Sequence, residues 1–319
     1  MRKWTDDEFI QAWNELKRPA LVAKRLGLDV RGVHLRRRRM ENKYKIALKT
    51  NHHHAEHFRN FDYIAHPDRQ TLNIKDGVVI VFSDAHFWPG IDTTAYLALL
   101  KFIRKLKPAA IVNNGDCFDG ASISRHPRIG WQQRPTVVQE LKACQDHLAA
   151  IEKVAGIAKL IWPLGNHDAR FENKLSAHAG EFEGVEGFGF KSHFPKWQTC
   201  WSFWINDDVV VKHRFKGGIH ATHNNTLWSG KTMVTGHLHS LKVTPFDDYN
   251  GTRWGVDTGT LAEPSGPQFS DYLEHNPTNW RSGFIVLTFK DGELLWPEVV
   301  RVVKEGVDFR GELFHIEKK

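Results

Sequence analysis

The sequence predicts an α/β protein, a two-sheet β-sandwich flanked by helices, with a small all-α module ahead of it. Three observations carry this expectation. From Gly77 onward short β-branched runs alternate with helical segments, each run is followed by a polar cluster rich in Gly, Asp and His, and the first fifty residues are helical in texture and strongly basic. The 319 residues suffice for one sizeable domain and one small one. The expected division is a helical module over 1–48, a linker over 49–76 and the larger domain over 77–319.

The module opens with TDDEFIQAWNEL, in which Thr5 is a candidate N-cap, Glu8 stands three residues on, and Phe9, Ile10, Trp13 and Leu16 recur at helical spacing. Pro19 starts a second helix, ALVAKRL, which Gly27 ends, and helical periodicity resumes from Val30 to Met40 through Val33 and Leu35. Ala23, Gly27 and Val33 stand four and then six residues apart. They supply a small residue where helices touch, a glycine for the turn and an apolar anchor, and this spacing resembles the helix-turn-helix pattern.

The resemblance implies that the later helix enters the major groove of DNA, presenting Arg31, His34, Arg37 and Arg38 to bases and Arg36 and Arg39 to phosphates. It also favours a homodimer, since such units work in pairs. Charge agrees with a polyanion partner. Residues 1–50 carry fourteen Lys and Arg against six Asp and Glu, a balance of +8, so the total of +7 leaves −1 for residues 51–319. A helical bundle with solvated arginines, or one that contacts a protein, has the same arithmetic.

Residues 45–76 have few apolar repeats and hold His52, His53, His54 and His57, which could trap a metal, although the three consecutive ones do not readily share one face, and they are left out of the active site. GVVIVFS is the first strand of the larger domain. A helix near Thr93 to Leu106, the run AAIVNN, a helix near Val137 to Val154 and the run AKLIWPL continue a βαβ rhythm. VVVKH, KTMVTG and GFIVLTF supply later strands with less helix between them.

Chemistry gathers where these runs end. Asp84-Ala85-His86 follows the first; Gly115-Asp116-Cys117-Phe118-Asp119 the second; Gly165-Asn166-His167-Asp168 the third; His213 follows VVVK; and Gly236-His237-Leu238-His239 follows KTMVT. Each piece is common alone, but five in order at strand ends are not. Mixed carboxylate, imidazole and amide donors suit a transition-type divalent cation, with Mn²⁺ the first expectation and Fe or Zn²⁺ the alternatives. Two such cations ~3.5–4 Å apart neutralise the charge of a phosphate ester and activate water against it.

The order D-x-H, GDxxD, GNHD, H, GHxH resembles the calcineurin-like metallophosphoesterase family over about residues 77–290. The resemblance implies the metallophosphoesterase fold and a metal-dependent phosphoesterase activity. It places Asp84, His86 and His239 on one metal and Asn166, His213 and His237 on the other, with Asp116 bridging both. His167 is then the general acid or phosphoryl contact, oriented by Asp168, and Asp119 supports the ligands from behind. His213 is the better match for the isolated histidine, although Arg214 follows it where the family often has glycine; His220 is the next candidate.

Two intervening segments could hold substrate: SRHPRIGWQQR, where Arg125 and Arg128 are the phosphate candidates, and FKSHFPKWQTCWSFW, whose Trp197, Trp201 and Trp204 are read as packing rather than as a base platform. Arg170, two residues past GNHD, also reaches for phosphate. GTLAEPSGPQF and WRSGFIVLTF are expected to finish the second sheet and leave an irregular loop near the site, without a catalytic role. No P-loop, dinucleotide fingerprint or Ser-His-Asp arrangement competes.

Cys117, Cys144 and Cys200 form no C-x-x-C pair, no stretch nears the ~18 apolar residues of a membrane span, and a cytoplasmic protein is expected. The joining of helix-turn-helix to this domain resembles an arrangement encoded by bacteriophages. Three functions follow: a DNA-directed phosphodiesterase or nuclease; a phosphatase or cyclic-nucleotide phosphodiesterase acting on a small or protein substrate; or a DNA-binding regulator with a silent phosphoesterase domain.

Overall fold

The structure is a computed structural model and describes residues 4–49, 66–126, 128, 130–269, 273 and 276–317; the His52, His53, His54 and His57 cluster lies outside these residues. The chain divides into two compact units, Met1–Tyr63 and Ile64–Lys319.

The first unit holds α1 (Asp6–Leu16), α2 (Pro19–Leu26) and α3 (Val30–Tyr44). Thr5 and Glu8 close a capping box on α1, so two otherwise unpaired donors at the helix start are satisfied. Gly27 ends α2 at φ 61°, a left-handed conformation that costs glycine nothing. Phe9, Trp13, Val22, Ala23, Leu26, Val33 and Met40 form the core, with Leu48 behind them. Such a core is small, and two indole hydrogen bonds reinforce it, Trp4 Nε1 to Leu26 O at 2.6 Å and Trp13 Nε1 to Lys49 O at 2.9 Å.

Leu35 is 61% exposed; Met40, seven residues after Val33, takes the second core position on α3 instead. Arg36 and Arg37 also depart from expectation, because both fold back on the module. Arg36 Nη2 donates to Trp4 O at 2.5 Å and Thr5 O at 3.0 Å with its guanidinium over Phe9, while Arg37 lies over Trp13 and donates to Glu41. Arg31, His34, Arg38 and Arg39 are exposed on the other side of α3 from Val33.

The second unit runs β1 (Gln70–Leu72), β2 (Gly77–Phe82), α4 (Thr94–Leu106), β3 (Ala110–Asn113), α5 (Val137–Val154), β4 (Lys159–Pro163), α6 (Arg170–His178), β5 (Gln198–Cys200), β6 (Phe203–Ile205), β7 (Val209–Val211), α7 (Ala221–Ser229), β8 (Thr232–Thr235), β9 (Lys242–Asp248), β10 (Gly251–Asp257), β11 (Gly283–Lys290), β12 (Glu293–Leu294), β13 (Glu298–Val303), β14 (Gly306–Phe309) and β15 (Glu312–His315). Among the described residues one sheet has the order β1-β6-β7-β8-β10-β9. The other runs β15-β14-β13-β11-β2-β3-β4-β5, with β12 on β11.

The linker expected over 49–76 ends earlier than its composition suggests. Gln70↔Phe203 begins a parallel pairing of β1 with β6, Ile74 is buried between the sheets, and His66 is buried against Thr199 Oγ1 at 2.9 Å and Glu172 Oε2 at 3.1 Å. A three-residue edge strand has too few residues to show a period.

Alternation explains the layers. On β2, Ile80 and Phe82 enter the core beneath α4 and α5, whereas Val79 and Val81 enter the core between the sheets; β11 divides Phe284 and Val286 from Ile285, Leu287 and Phe289 in the same way. Strands buried on both faces read as continuous apolar runs, which is why GVVIVF and GFIVLTF stand out. Burying each such side chain contributes roughly 1.5–3 kcal/mol. β2, β3, β4 and β5 pair in parallel, as do β7 and β8 in the other sheet. Parallel strands send their C-terminal ends the same way, so the loops after β2, β3, β4, β7 and β8 gather at one rim.

Candidate metal centre

Those loops carry the five motifs, and their backbones are bent to do so. Asp84, His86, Asp116, His237 and His239 all have positive φ, between 39° and 72°, a conformation that costs non-glycine residues about 1–3 kcal/mol each. Surrounding hydrogen bonds hold them there: Asp84 N–H to Gly115 O at 2.9 Å, His86 N–H to Asp116 O at 3.0 Å, and Thr260 Oγ1 to Asp84 O at 2.6 Å.

The motif glycines have a second cause, close passage of a functional group from another loop. A Cβ on Gly115 would stand 2.6 Å from His213 Nδ1, one on Gly165 2.0 Å from Asp116 Oδ1, and one on Gly236 2.6 Å from Asp84 Oδ2.

Two clusters result besides that of His86, Asp119 and His167. Asp84, His86 and His239 bring ligand atoms within 4.8 Å of one another, and so do Asp116, His213 and His237. Asp84 Oδ1 lies 3.0 Å from His239 Nε2, 4.0 Å from His86 Nε2 and 3.9 Å from His213 Nε2. Asp116 Oδ1 accepts the His167 N–H at 2.7 Å, which leaves Oδ2, 3.0 Å from His213 Nε2, as the oxygen open to cations. Asp116 would therefore offer Oδ2 to a cation. His220, the alternative to His213, is exposed at the start of α7 and belongs to neither cluster.

Hydrogen-bond partners fix the tautomers. His213 Nδ1 donates to the carbonyl of Asn114 at 2.7 Å and His86 Nδ1 to the Asp119 carboxylate at 2.9 Å, so in each ring Nε2 is turned to the cluster. His213 Nε2 makes no hydrogen bond despite its 3.0 Å approach to Asp116, and the buried Asn166 Oδ1 has no partner either. Buried atoms with lone pairs and no hydrogen-bond partner fit a site for divalent cations. Electrostatics agree. Burial opposes the Asp84 charge, yet His239 and His213 bring its pKa down to about 2; burial likewise opposes the His213 cation, yet Asp116 and Asp84 raise its pKa to about 10. Buried carboxylates of this kind demand a positive partner.

Asp119 and Asp168 exchange the importance the sequence suggests. Asp168 does not touch the His167 ring. It is wholly buried and accepts the N–H groups of Asp116, Cys117, Phe118 and Gly165 and the Trp162 indole at 2.8–3.1 Å, which staples the GDxxD loop to GNHD. Asp119 orients His167 instead, its Oδ1 lying 2.8 Å from His167 Nδ1 and 2.9 Å from His86 Nδ1. Arg170 closes the arrangement by donating to Asp119 O at 2.8 Å and to His167 Nε2 at 3.0 Å. Asp119 O can only accept and Arg170 only donate, so His167 is held as the Nδ1–H tautomer with Nε2 as acceptor.

Asp257 escaped sequence reading. It accepts from Ser240, Leu241 and Gly259 N–H at 3.0–3.2 Å and so fixes the strained turn after His239; burial pushes its pKa up to about 6. Its only signal is an Asp at the end of a strand run, which is too common to single out.

A cleft of about 830 Å³ opens over the clusters. Arg125, Arg134, Arg170, Lys174 and Arg214 line it, as do Trp88, Phe269 and Trp280; Arg128 is exposed but is not among the lining residues. Trp197 is buried in the helix-side core, and Trp204 stacks under Arg69 with 3.9 Å from guanidinium to ring centroid, consistent with packing roles. Phe269 and Trp280 come from the irregular segments to which the sequence assigned no role.

A sandwich of two mixed sheets with paired Asp/His clusters at the strand ends defines a metal-dependent phosphoesterase. Residues 77–298 match the model of the calcineurin-like phosphoesterase family, and the chain belongs to that family, whose members use a dimetal centre to hydrolyse phosphate esters. No curated protein sequence matches the chain. Similar solved structures include a single-substitution mutant of Vps29 from Entamoeba histolytica, at 14% identity and TM-score 0.39 over 75% of this chain and 99% of that one. Vps29 of Chaetomium thermophilum is similar at 9% identity and TM-score 0.36, over 75% and 97%. Among the described residues no helix is long and apolar enough to cross a membrane.

Proposed function

We propose that this phosphoesterase is a DNA-directed phosphodiesterase, a nuclease, that uses two Mn²⁺ ions. The observation that carries the reading is the cleft: Arg125, Arg134, Lys174 and Arg214 line it in addition to the metal ligands and Arg170, more cationic groups than one phosphate engages. Exposed Arg31, His34, Arg38 and Arg39 on α3 supply a separate basic surface suited to a duplex.

Asp84, His86 and His239 would hold one cation and Asn166, His213 and His237 the other, with Asp116 serving both. The cations, when bound, supply Lewis acidity and an activated water. The protein's own groups do the rest. Asp119 keeps a proton on His167 Nδ1 and so turns Nε2 to the cleft, where the ring, once protonated on Nε2 as well, would donate to a phosphoryl oxygen or give the leaving oxygen its proton. Arg170 Nη2, 3.0 Å from Nε2, adds positive charge where the phosphate is received.

The test is Mn²⁺-dependent hydrolysis of labelled single- and double-stranded DNA beside bis-p-nitrophenyl phosphate, with wild type, His167→Ala and Arg31→Glu/Arg38→Glu. DNA cleavage that falls at least tenfold in His167→Ala and weakens with the α3 variant supports the nuclease. Hydrolysis of the small ester alone assigns a small-substrate phosphoesterase, and no hydrolysis with any divalent metal assigns a DNA-binding protein with a silent site.

A further inference from the structure

The cleft has two chemistries along its wall. Its cations belong to the 125–134 segment, to α6 and to Arg214, whereas Phe269 and Trp280 border the Asp84, His86 and His239 cluster. The Phe269 ring lies 5.1 Å from His86 and 5.5 Å from His239, and Trp280 lies 4.5 Å edge-on to His239 and 5.0 Å from Phe269. Neighbouring Arg281 is not among the residues lining the cleft, and its Nη1 donates to Ser240 O at 3.1 Å and Asn279 O at 3.2 Å.

Trp280 is also held in advance. Arg281 N–H donates to His239 O at 2.7 Å and Thr260 N–H donates to Arg281 O at 3.2 Å, so the backbone beside the indole is tied to the loop of a metal ligand. Phe269 is 6% exposed and backs the indole, whereas Trp280 is half-buried and faces the cleft. A fixed aromatic face beside a row of cationic side chains suits a flat apolar ligand group next to a phosphate, because stacking then costs little ordering.

We propose that Trp280, backed by Phe269, is a stacking platform for the base of a nucleotide adjoining the scissile phosphate, so that the enzyme prefers an unpaired, base-bearing nucleotide there. This rests on the DNA reading above and names the part of the substrate that reading leaves open. A base held in the stack of a duplex offers no free face; an unpaired one does. The cations then take the phosphates that continue along the strand.

The experiment uses the full chain with Mn²⁺ and single-stranded DNA oligonucleotides that carry a tetrahydrofuran abasic residue at successive positions, with kcat/KM measured linkage by linkage. Wild type is expected to cleave the base-bearing linkage about tenfold faster than the same linkage beside an abasic residue, the scale of one base–aromatic stack. Trp280→Ala should bring that ratio close to one, and Trp280→Phe should restore most of it. A wild-type ratio near one overturns the platform and leaves the nuclease intact. An equal loss on both substrates in Trp280→Ala also overturns it, by making the indole a wall for His239. If wild type hydrolyses bis-p-nitrophenyl phosphate but no oligonucleotide, the DNA reading fails and takes the platform with it.

Discussion

One oxygen of Asp119 serves two imidazoles, and this sharing couples His86, a member of the first Asp/His cluster, to His167 at the cleft. His86 and His167 both direct Nδ1 at Oδ1, so the carboxylate sets both tautomers at once. Asp119→Asn keeps one acceptor but loses the charge, and kcat on bis-p-nitrophenyl phosphate is expected to fall about 10- to 100-fold, with weaker Mn²⁺ binding by calorimetry. Glu140 presents a different residue-scale effect. It is fully buried, only its Oε1 has a partner (Ala121 N–H, 3.0 Å), and burial raises its pKa from 4.5 to about 8. Between those values the folded state holds a proton that the unfolded state has lost. Its contribution to stability is therefore complete below 4.5 and disappears as pH rises through about 8. Glu140→Gln should unfold at a higher denaturant midpoint than wild type at pH 9, with the difference shrinking towards pH 4.5; a constant difference across pH would remove the argument. None of this is legible from GDCFD or VVQELKAC, because Asp119 and Glu140 owe their roles to neighbours remote in the chain.

At the element scale the local signals are faithful where a cap or a period exists. Thr93 caps α4 by accepting from Tyr96 N–H, Thr136 and Gln139 form the capping box of α5, and both helices fall where their sequences place them. α3 was the harder case. Five of its first ten residues are basic, so its inner face is written in Arg stems as well as in Val33 and Met40. Arg36 and Arg37 face α1 for this reason. Arg36→Ala should destabilise the first unit by about 1–2 kcal/mol through lost hydrogen bonds to Trp4 O and Thr5 O. Arg38→Ala, on the exposed side, should leave its melting unchanged and lower affinity for DNA. Thermal unfolding and fluorescence anisotropy with a labelled duplex separate the two effects. β1 lay beyond local reading, since three residues of an edge strand are specified by the β6 partner rather than by themselves.

For the whole molecule, the metal centre is a place where strain is tolerated because a ligand repays it. Five residues of the Asp/His clusters in the left-handed region and several buried carboxylates raise the energy of the metal-free fold. Metal binding to the folded state alone should then stabilise it, by about 2.7 kcal/mol at a hundredfold excess over Kd. Differential scanning calorimetry should show the transition of the second unit rising by at least about 5 °C when Mn²⁺ is added to chelator-treated protein. An unchanged transition would mean that the loops are held without metal. The helical module is expected to melt independently of Mn²⁺, since none of the clustered ligands lies in it.

Sequence by itself determined the class of fold, the βαβ order and which loops carry the Asp and His residues that cluster. Those depend on local propensity, on strand and helix period, and on motifs that stay contiguous in the chain. Tertiary structure alone decided that Asp119 rather than Asp168 orients His167, that Arg36 and Arg37 turn inward, and that Phe269 and Trp280 flank the site. Each of these is settled by which groups meet across loops far apart in the chain. Hydrogen-bond partners, burial and the tautomers they impose exist only once both sheets have closed on one another.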